Sequence, residues 1–309
     1  MQQPSKRPGL SQVTVLHYSV MASARLPSGF ALARNSWDLL RKHPALNAVI
    51  FWLLLLPSAV SQWMEWTYQR SMPAMSDVTC ADVLFIVLAI LLTLVMIWGS
   101  ACVLFVGRRM IQNKAGRARS SFTTVRRDAA GYIVPLVLTS LLQLCFLFYW
   151  SLIFVIPAVA LVILSLCNTG MDGFSGVRDT VTNCGWYLLF LTPLLLPAVF
   201  YYFRTFFYNV VAVCEERSPR ESLRRSWEMT AGFTLRIFWR LLFLAVVLLL
   251  PGQILLQMNA DLLADMPHFY FPGSIVAAAV ENLGYALFLL GCISLYGVIR
   301  DKKENPRKK

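Results

Sequence analysis

Residues 82–106 read DVLFIVLAILLTLVMIWGSACVLFV and run through Gly107 into Arg108-Arg109. One acid opens the stretch, and no further charge interrupts it before the arginine pair. About 20 largely apolar residues in a helix cover the roughly 30 Å of a bilayer's hydrocarbon core. The stretch therefore predicts a helix that spans a membrane and stops at a basic anchor.

Working outward, Leu46 to Trp66 predicts a second span, with Trp63 and Trp66 at the level of an interfacial aromatic belt. Leu235 to Met258 and Ser274 to Ile299 predict another pair, separated by a connection carrying Asp261 and Asp265. The middle is less regular. Tyr132 to Cys167 is apolar throughout, and as one helix it would be roughly 54 Å long, too much for an upright span. Two spans there, followed by a third over Trp186 to Tyr208, would put neighbouring basic blocks on opposite sides. The expectation is one span over about 131–149, then a segment around Pro157 that is re-entrant, interfacial or the continuation of a kinked helix. A return span follows from Trp186. The fold class expected is all-α: a polytopic integral membrane protein with about six transmembrane helices and basic amphipathic helices on the cytoplasmic face. Residues 30–300 form one transmembrane domain, between a disordered basic segment 1–29 and a basic tail 301–309.

Composition agrees with this class. Of 309 residues, 57% are hydrophobic and 14% charged, with a mean hydropathy of +0.59, whereas a soluble domain carries about 25% charged residues. The 28 Lys and Arg against 16 Asp and Glu give a net charge of +12. Their placement decides what the excess means. They cluster over 6–42, 108–127, 217–240 and 300–309, between the apolar stretches. Short loops rich in Lys and Arg stay cytoplasmic, so both termini are expected inside, at a bacterial inner membrane. The partner implied is the anionic headgroups of the cytoplasmic leaflet. Nucleic acid is not expected, because no basic patch is interleaved with base-stacking aromatics in a soluble module. Whether the chain forms a homo-oligomer or meets another membrane protein stays open. Residues 1–29 show no unbroken apolar core of a cleavable signal, and either Met1 or Met21 can be the start.

The basic segments resemble one another. Phe30, Ala33, Trp37 and Leu40 fall on one side of a predicted helix, with Arg34, Asn35, Asp38, Arg41 and Lys42 on the rest. Before the fifth span, Ser218-Pro219-Arg220-Glu221 has the pattern of a capping box with Pro at the first helical position, and Gly232 is placed to end the helix. The strings Arg34-Asn35-Ser36-Trp37-Asp38-Leu39 and Arg224-Arg225-Ser226-Trp227-Glu228-Met229 match in order and chemistry. A third copy runs from Arg119-Ser120-Ser121-Phe122 to Ala130. Trp37, Phe122 and Trp227 are the expected interfacial anchors. Gly99 lies nine residues before Arg108, and Gly291 nine before Arg300. The chain thus parses into parallel repeats of helix, span and return span over 30–108, 115–210 and 218–300, the middle one enlarged between Ser151 and Gly185.

The segment from Pro193 to Phe243 carries a family likeness. Leu196-Pro197, Arg204, the stretch from Val211 to Glu216, Glu221-Ser222-Leu223-Arg224-Arg225-Ser226-Trp227, Gly232 and Trp239-Arg240 follow one another in a recognisable order. This order resembles a bacterial multi-pass membrane family related to the membrane domain of glycerophosphoryl diester phosphodiesterases. Ser222 stands where that family usually has Ala, and Ala198 where Gly usually follows Pro. The resemblance implies a six-span membrane protein. The phosphodiesterase activity of longer relatives resides in a separate soluble domain, for which this chain has no room.

Chemical motifs are absent. His17, His43 and His268 have no metal-ligand spacing, and there is no phosphate loop or nucleophile elbow. Asp172 to Asp179 is partly similar to the Asp-Gly/Ala-Arg signature of membrane CDP-alcohol phosphotransferases. Its spacing to Arg178 is one residue too long and its partner acids are missing, so it reads as a glycine-rich turn. The seven cysteines are scattered; Cys167 and Cys184 flank the outer middle loop and are the one candidate disulfide pair. No cofactor, metal or catalytic residue is expected, and the chain reads as no enzyme. Glu281, with Asn282 beside it, is the candidate intramembrane polar site, and Arg204 is a conceivable but distant counter-ion. Glu281 either serves a binding role or sits protonated among neighbouring helices. The leading function is a non-enzymatic membrane protein that engages lipid or organises the membrane. The alternative is a transporter or channel for a small or amphipathic substrate, with a path near Glu281 and the Pro193 and Pro197 break.

Overall fold

A computed structural model describes residues 26–71, 80–111, 121–169, 191–263 and 267–304, and among these there is no strand. The helices are α1 (Gly29–Lys42), α2 (Pro44–Val49), a π-helical turn (Ile50–Leu55), α3 (Leu56–Ser71), α4 (Cys80–Ile111), α5 (Phe122–Ala130) and α6 (Ile133–Thr169). A 3-10 turn (Thr192–Leu195) then leads into α7 (Leu196–Thr205), α8 (Tyr208–Glu215), α9 (Pro219–Thr230), α10 (Thr234–Leu248), α11 (Leu250–Leu263) and α12 (Pro267–Glu304).

Five stretches are long and apolar enough to cross a membrane: Pro44–Tyr68, Asp82–Arg109, Ile133–Leu161, Thr192–Glu215 and Phe269–Glu304. A sixth is added if α9 and α10, which meet at 103°, form one broken span. The expected fifth span over 235–258 is instead two helices, α10 and α11, parted at Leu249. Pro251 has no N–H to offer the Val247 carbonyl, so the ladder is interrupted there. In the middle, α6 passes through Pro157 without a break. Of the three expectations for that segment, continuation of the helix holds. Leu26 is buried, and the carbonyls of Leu26 and Pro27 accept Arg240 at 3.1 and 2.6 Å, so the packed chain begins before residue 30. Asp301 to Glu304 are the last turn of α12 rather than part of a tail. Residues 1–25, the start of the return span at Trp186, the 172–179 turn, Cys184 of the candidate disulfide, Arg119-Ser120 of the third copy and residues 305–309 lie outside the described residues.

Glycines set the helix spacing. A Cβ on Gly99 of α4 would lie 2.7 Å from Leu54 Cδ2 and 2.9 Å from the Leu53 carbonyl oxygen. Leu53 is in the π-helical turn, where Pro57 leaves its carbonyl without the usual donor four residues on. On the other side, Gly252 of α11 sits against the Glu281 backbone, and Gly284 of α12 against the Leu248 carbonyl. Two helices locked backbone to backbone hold α12 centrally, and from Leu290 to Ile299 every residue of it is buried.

The short helices pack in a cyclic order. α5 rests on α2 and α4, α9 on α6, α7 and α8, and α1 on α10 and α12. Each therefore docks on the pair of long helices that ends just before it, and α1 closes the ring on the last pair. The inner members α4, α8 and α12 touch one another.

The close approach at Gly284 yields a test. Gly284→Ala puts a methyl into the Leu248 carbonyl, whereas a Cβ on Gly131 meets nothing nearer than 4.0 Å. Gly284→Ala is expected to lower the midpoint of thermal unfolding followed by size-exclusion fluorescence, corresponding to a loss of about 1–3 kcal/mol, with Gly131→Ala close to the parent. Equal midpoints for the two variants would mean that α10 and α12 do not approach this closely.

Candidate functional site

The apolar run over 192–215 is broken between Thr205 and Tyr208. A break frees backbone groups, and an unpaired amide in apolar surroundings costs about 1–3 kcal/mol by protein mutational data. Two side chains of α9 supply the missing partners. Ser226 Oγ accepts the Phe207 N–H at 3.1 Å and donates to the Arg204 carbonyl at 3.3 Å. Thr230 Oγ1 donates to the same carbonyl at 2.8 Å. Both side chains are fully buried. The Arg204 guanidinium then turns back over α9, donating to the Trp227 carbonyl at 3.1 Å and lying 4.1 Å from the Trp227 ring centre.

α9 itself is set by its ends. Pro219 occupies the first turn and the Ser218–Glu221 capping box is formed. Glu216, at φ 53°, ends α8 in the left-handed conformation and reverses the chain into α9. Its buried side carries Ser222, Leu223, Ser226 and Met229, while Arg220, Arg224 and Trp227 stay exposed.

A groove of about 610 Å³ lies between α9, α6 and α7. α6 contributes Leu142, Phe146, Tyr149 and Trp150 to its wall, and α7 contributes Tyr201 and Thr205. α9 supplies Leu223 and Trp227 together with Arg220 and Arg224. The walls are apolar and aromatic, and formal charge enters only with the two arginines.

Beyond the groove, the ends of α4, α8 and α12 are tied by ion pairs. Arg108 donates to Glu216 at 2.5 Å and caps the Val213 carbonyl at 3.1 Å. Glu215 accepts Tyr296, Arg217 and Arg225, and Arg225 also pairs with Glu304 at 2.8 Å. Burial and the bond to Glu216 raise the Tyr132 hydroxyl above its ordinary value, and the bond to Glu215 raises Arg217. These pairs fasten helices to one another.

Of the residues expected from sequence, Arg204 and Trp227 come together as a stacked pair. Arg204 is not the counter-ion of Glu281. Glu281 Oε1 accepts Gln253 of α11 at 2.7 Å, and Asn282, buried, donates to the Ala278 carbonyl at 2.8 Å. Trp37 is 46% exposed, and the stripe of α1 that packs inward is Leu32, Ser36 and Leu40. Phe122 is half-buried at the first turn of α5, beside Arg126. Because α5 starts there, Phe122 does not occupy the mid-helix place that Trp37 has in α1. The sequence reading missed Arg220, Phe146, Tyr149 and Trp150. The spacing of Arg220, Leu223, Arg224 and Trp227 marks one helical face, but the wall opposite lies some 70 residues away in sequence. Among the described residues, no three His, Cys, Asp or Glu side chains gather as a metal set.

Fold and site together define an all-helical chain with five or six helices long and apolar enough to cross a membrane. The chain belongs to the family described as Domain of unknown function (DUF7847), whose model matches residues 31–291. No curated protein and no solved structure matches the chain.

Ser226 offers the second test. Ser226→Ala strands the buried Phe207 N–H and is expected to destabilise by about 1–3 kcal/mol. Thr93→Ala, which removes only a bond to the carbonyl four residues back on an exposed helix face, is expected to stay within about 0.5 kcal/mol. Thermal unfolding of the two variants in one detergent decides, and a Ser226→Ala midpoint no lower than that of Thr93→Ala would reject the repair role.

Proposed function

We propose that this chain is a non-enzymatic integral membrane protein, with both termini cytoplasmic in a bacterial inner membrane, whose short basic helices hold the anionic cytoplasmic leaflet. One observation carries the reading: each short helix packs a small or apolar side against long helices and leaves two exposed arginines outward, Arg225 of α9 being turned inward to Glu215 and Glu304. In α1 the exposed set is Arg34, Trp37 and Arg41; in α5 it is Arg126 and Arg127; in α9 it is Arg220, Arg224 and Trp227. Arginine near an anionic surface contributes about 1 kcal/mol each, and an exposed Trp suits the boundary between headgroup and hydrocarbon.

A repeated, parallel design supports the same reading. Capping Ser28 and Ser218, buried Ser36 and Ser226, and exposed Trp37 and Trp227 are each 190 residues apart. Leu54 meets Gly99, and Leu244, also 190 residues on, meets Gly291. Units related by an axis along the membrane normal would place all three basic helices on one leaflet. The likeness to the membrane domain of glycerophosphoryl diester phosphodiesterases fits a chain that embeds and organises rather than reacts. The transport alternative would need Glu281 as its polar station, and that carboxylate is engaged by Gln253.

Single cysteines at Ser76, Ser120, Asn168, Ser218 and Asn305 in a cysteine-free chain, labelled with an impermeant thiol reagent from outside, test the orientation. Labelling at 76 and 168 only is expected; labelling at 120 or 218 would reverse the side on which the arginines lie. Polymer-extracted particles then test the lipid preference. Replacing Arg34, Arg41, Arg126, Arg127, Arg220 and Arg224 with Gln is expected to lower the anionic share of the extracted lipid, and an unchanged share would sink the reading.

A further inference from the structure

We propose that the groove between α6, α7 and α9 is a discrete site for one anionic phospholipid of the surrounding bilayer. Its phosphate sits on Arg220 and Arg224, and one acyl chain lies along the aromatic wall. The proposal rests on the reading of the chain as an integral membrane protein.

The shape of the groove is the first argument. α9 lines it with positions 220, 223, 224 and 227, and α6 with positions from 142 to 150. Both are single faces at helical spacing, so the walls are facing stripes roughly 10 Å long. A trough between two helix stripes fits an extended chain better than a compact solute. At about 610 Å³ it also falls in the ordinary range of ligand sites.

Charge is the second argument. Arg224 is 83% exposed and shares only Glu228, at 3.0 Å. Arg220, exposed on the same face, has no hydrogen-bond or ion-pair partner among the described residues. Arg204, stacked on the Trp227 ring that forms part of the wall, adds a third cation nearby. Two carboxylates of α9, Glu221 in the capping box and Glu228 on Arg224, stand against these three cations and leave the mouth net positive, and guanidinium groups bind phosphate through parallel hydrogen bonds. An apolar, aromatic lining and two arginines in one groove match the two halves of an anionic lipid. A zwitterionic lipid carries its own ammonium into the same positive mouth and is disfavoured.

The full chain, equilibrated in nanodiscs of equal phosphatidylglycerol and phosphatidylcholine, is released into mild detergent and weighed by native mass spectrometry. One retained phosphatidylglycerol per chain is expected. Retention should fall on the order of tenfold or more in the Arg220→Gln/Arg224→Gln double variant and stay at the parent level in Arg34→Gln/Arg41→Gln. Phe146→Trp, made at an exposed position of α6, fills the trough with the arginines intact and should also displace the lipid. Variants are compared at equal monodisperse recovery. Equal retention of both lipids, undiminished retention in Arg220→Gln/Arg224→Gln, no effect of Phe146→Trp, or a second copy of the chain in place of lipid each overturns the site. Loss of phosphatidylglycerol by the same factor in both arginine pairs overturns the discrete site while leaving the broader leaflet reading intact. A chain recovered in the aqueous phase without detergent ends both.

Discussion

The fold turns on a repair. The apolar run that ends in α8 does not stay a regular helix across Phe206 and Phe207, and the groups released there face protein rather than water. Ser226 and Thr230 satisfy them from α9. A short polar helix thereby becomes obligatory to an apolar one: without α9, the Arg204 carbonyl and the Phe207 N–H would be left unpaired in a medium that offers no substitute. The requirement fixes where α9 lies, and α9 in turn places Arg220, Arg224 and Trp227 over the α6 wall.

The same logic of side chain to backbone recurs around the ring. Trp98 of α4 donates to the Arg126 carbonyl of α5 at 3.1 Å, and Arg240 of α10 donates to the carbonyls before α1. Each short helix is thus tied by hydrogen bonds to the pair of long helices it rests on, which leaves Arg34 and Arg41 of α1, Arg127 of α5 and Arg220 of α9 exposed. Where the inner helices end, the ion pairs among Arg108, Glu215, Glu216, Arg225 and Glu304 do the corresponding job between polar groups. Partly buried, they align helix ends that apolar packing by itself would leave free to slide.

Several features were legible because they depend on neighbours within a few residues. Three of the expected spans, over 46–66, 82–106 and 274–299, lie within long apolar helices, since length and apolarity are local properties. The capping box at Ser218 and Glu221 and the stop near Gly232, at φ 84°, are local too. Other features were misread for the converse reason. Pro251 interrupts a helix where Pro157 does not, and whether a proline parts a helix depends on what packs beside the freed carbonyl. The inward stripe of α1 is likewise invisible to a hydrophobicity count: it runs through Ser36, small enough to meet Gly291.

The sequence by itself determined the apolar lengths, the clustering of cations between them and the start of one short helix, α9, all set by composition and by contacts within a turn or two of helix. Tertiary structure decided which long helices each short one docks on, that Arg204 joins Trp227 while Glu281 joins Gln253, and that Arg220 and Arg224 stand over Phe146 and Trp150. Those pairings join residues tens of positions apart. Their partners are selected by the close fit of helix faces and by the demand that every buried polar group be satisfied, neither of which leaves a periodic mark in the chain.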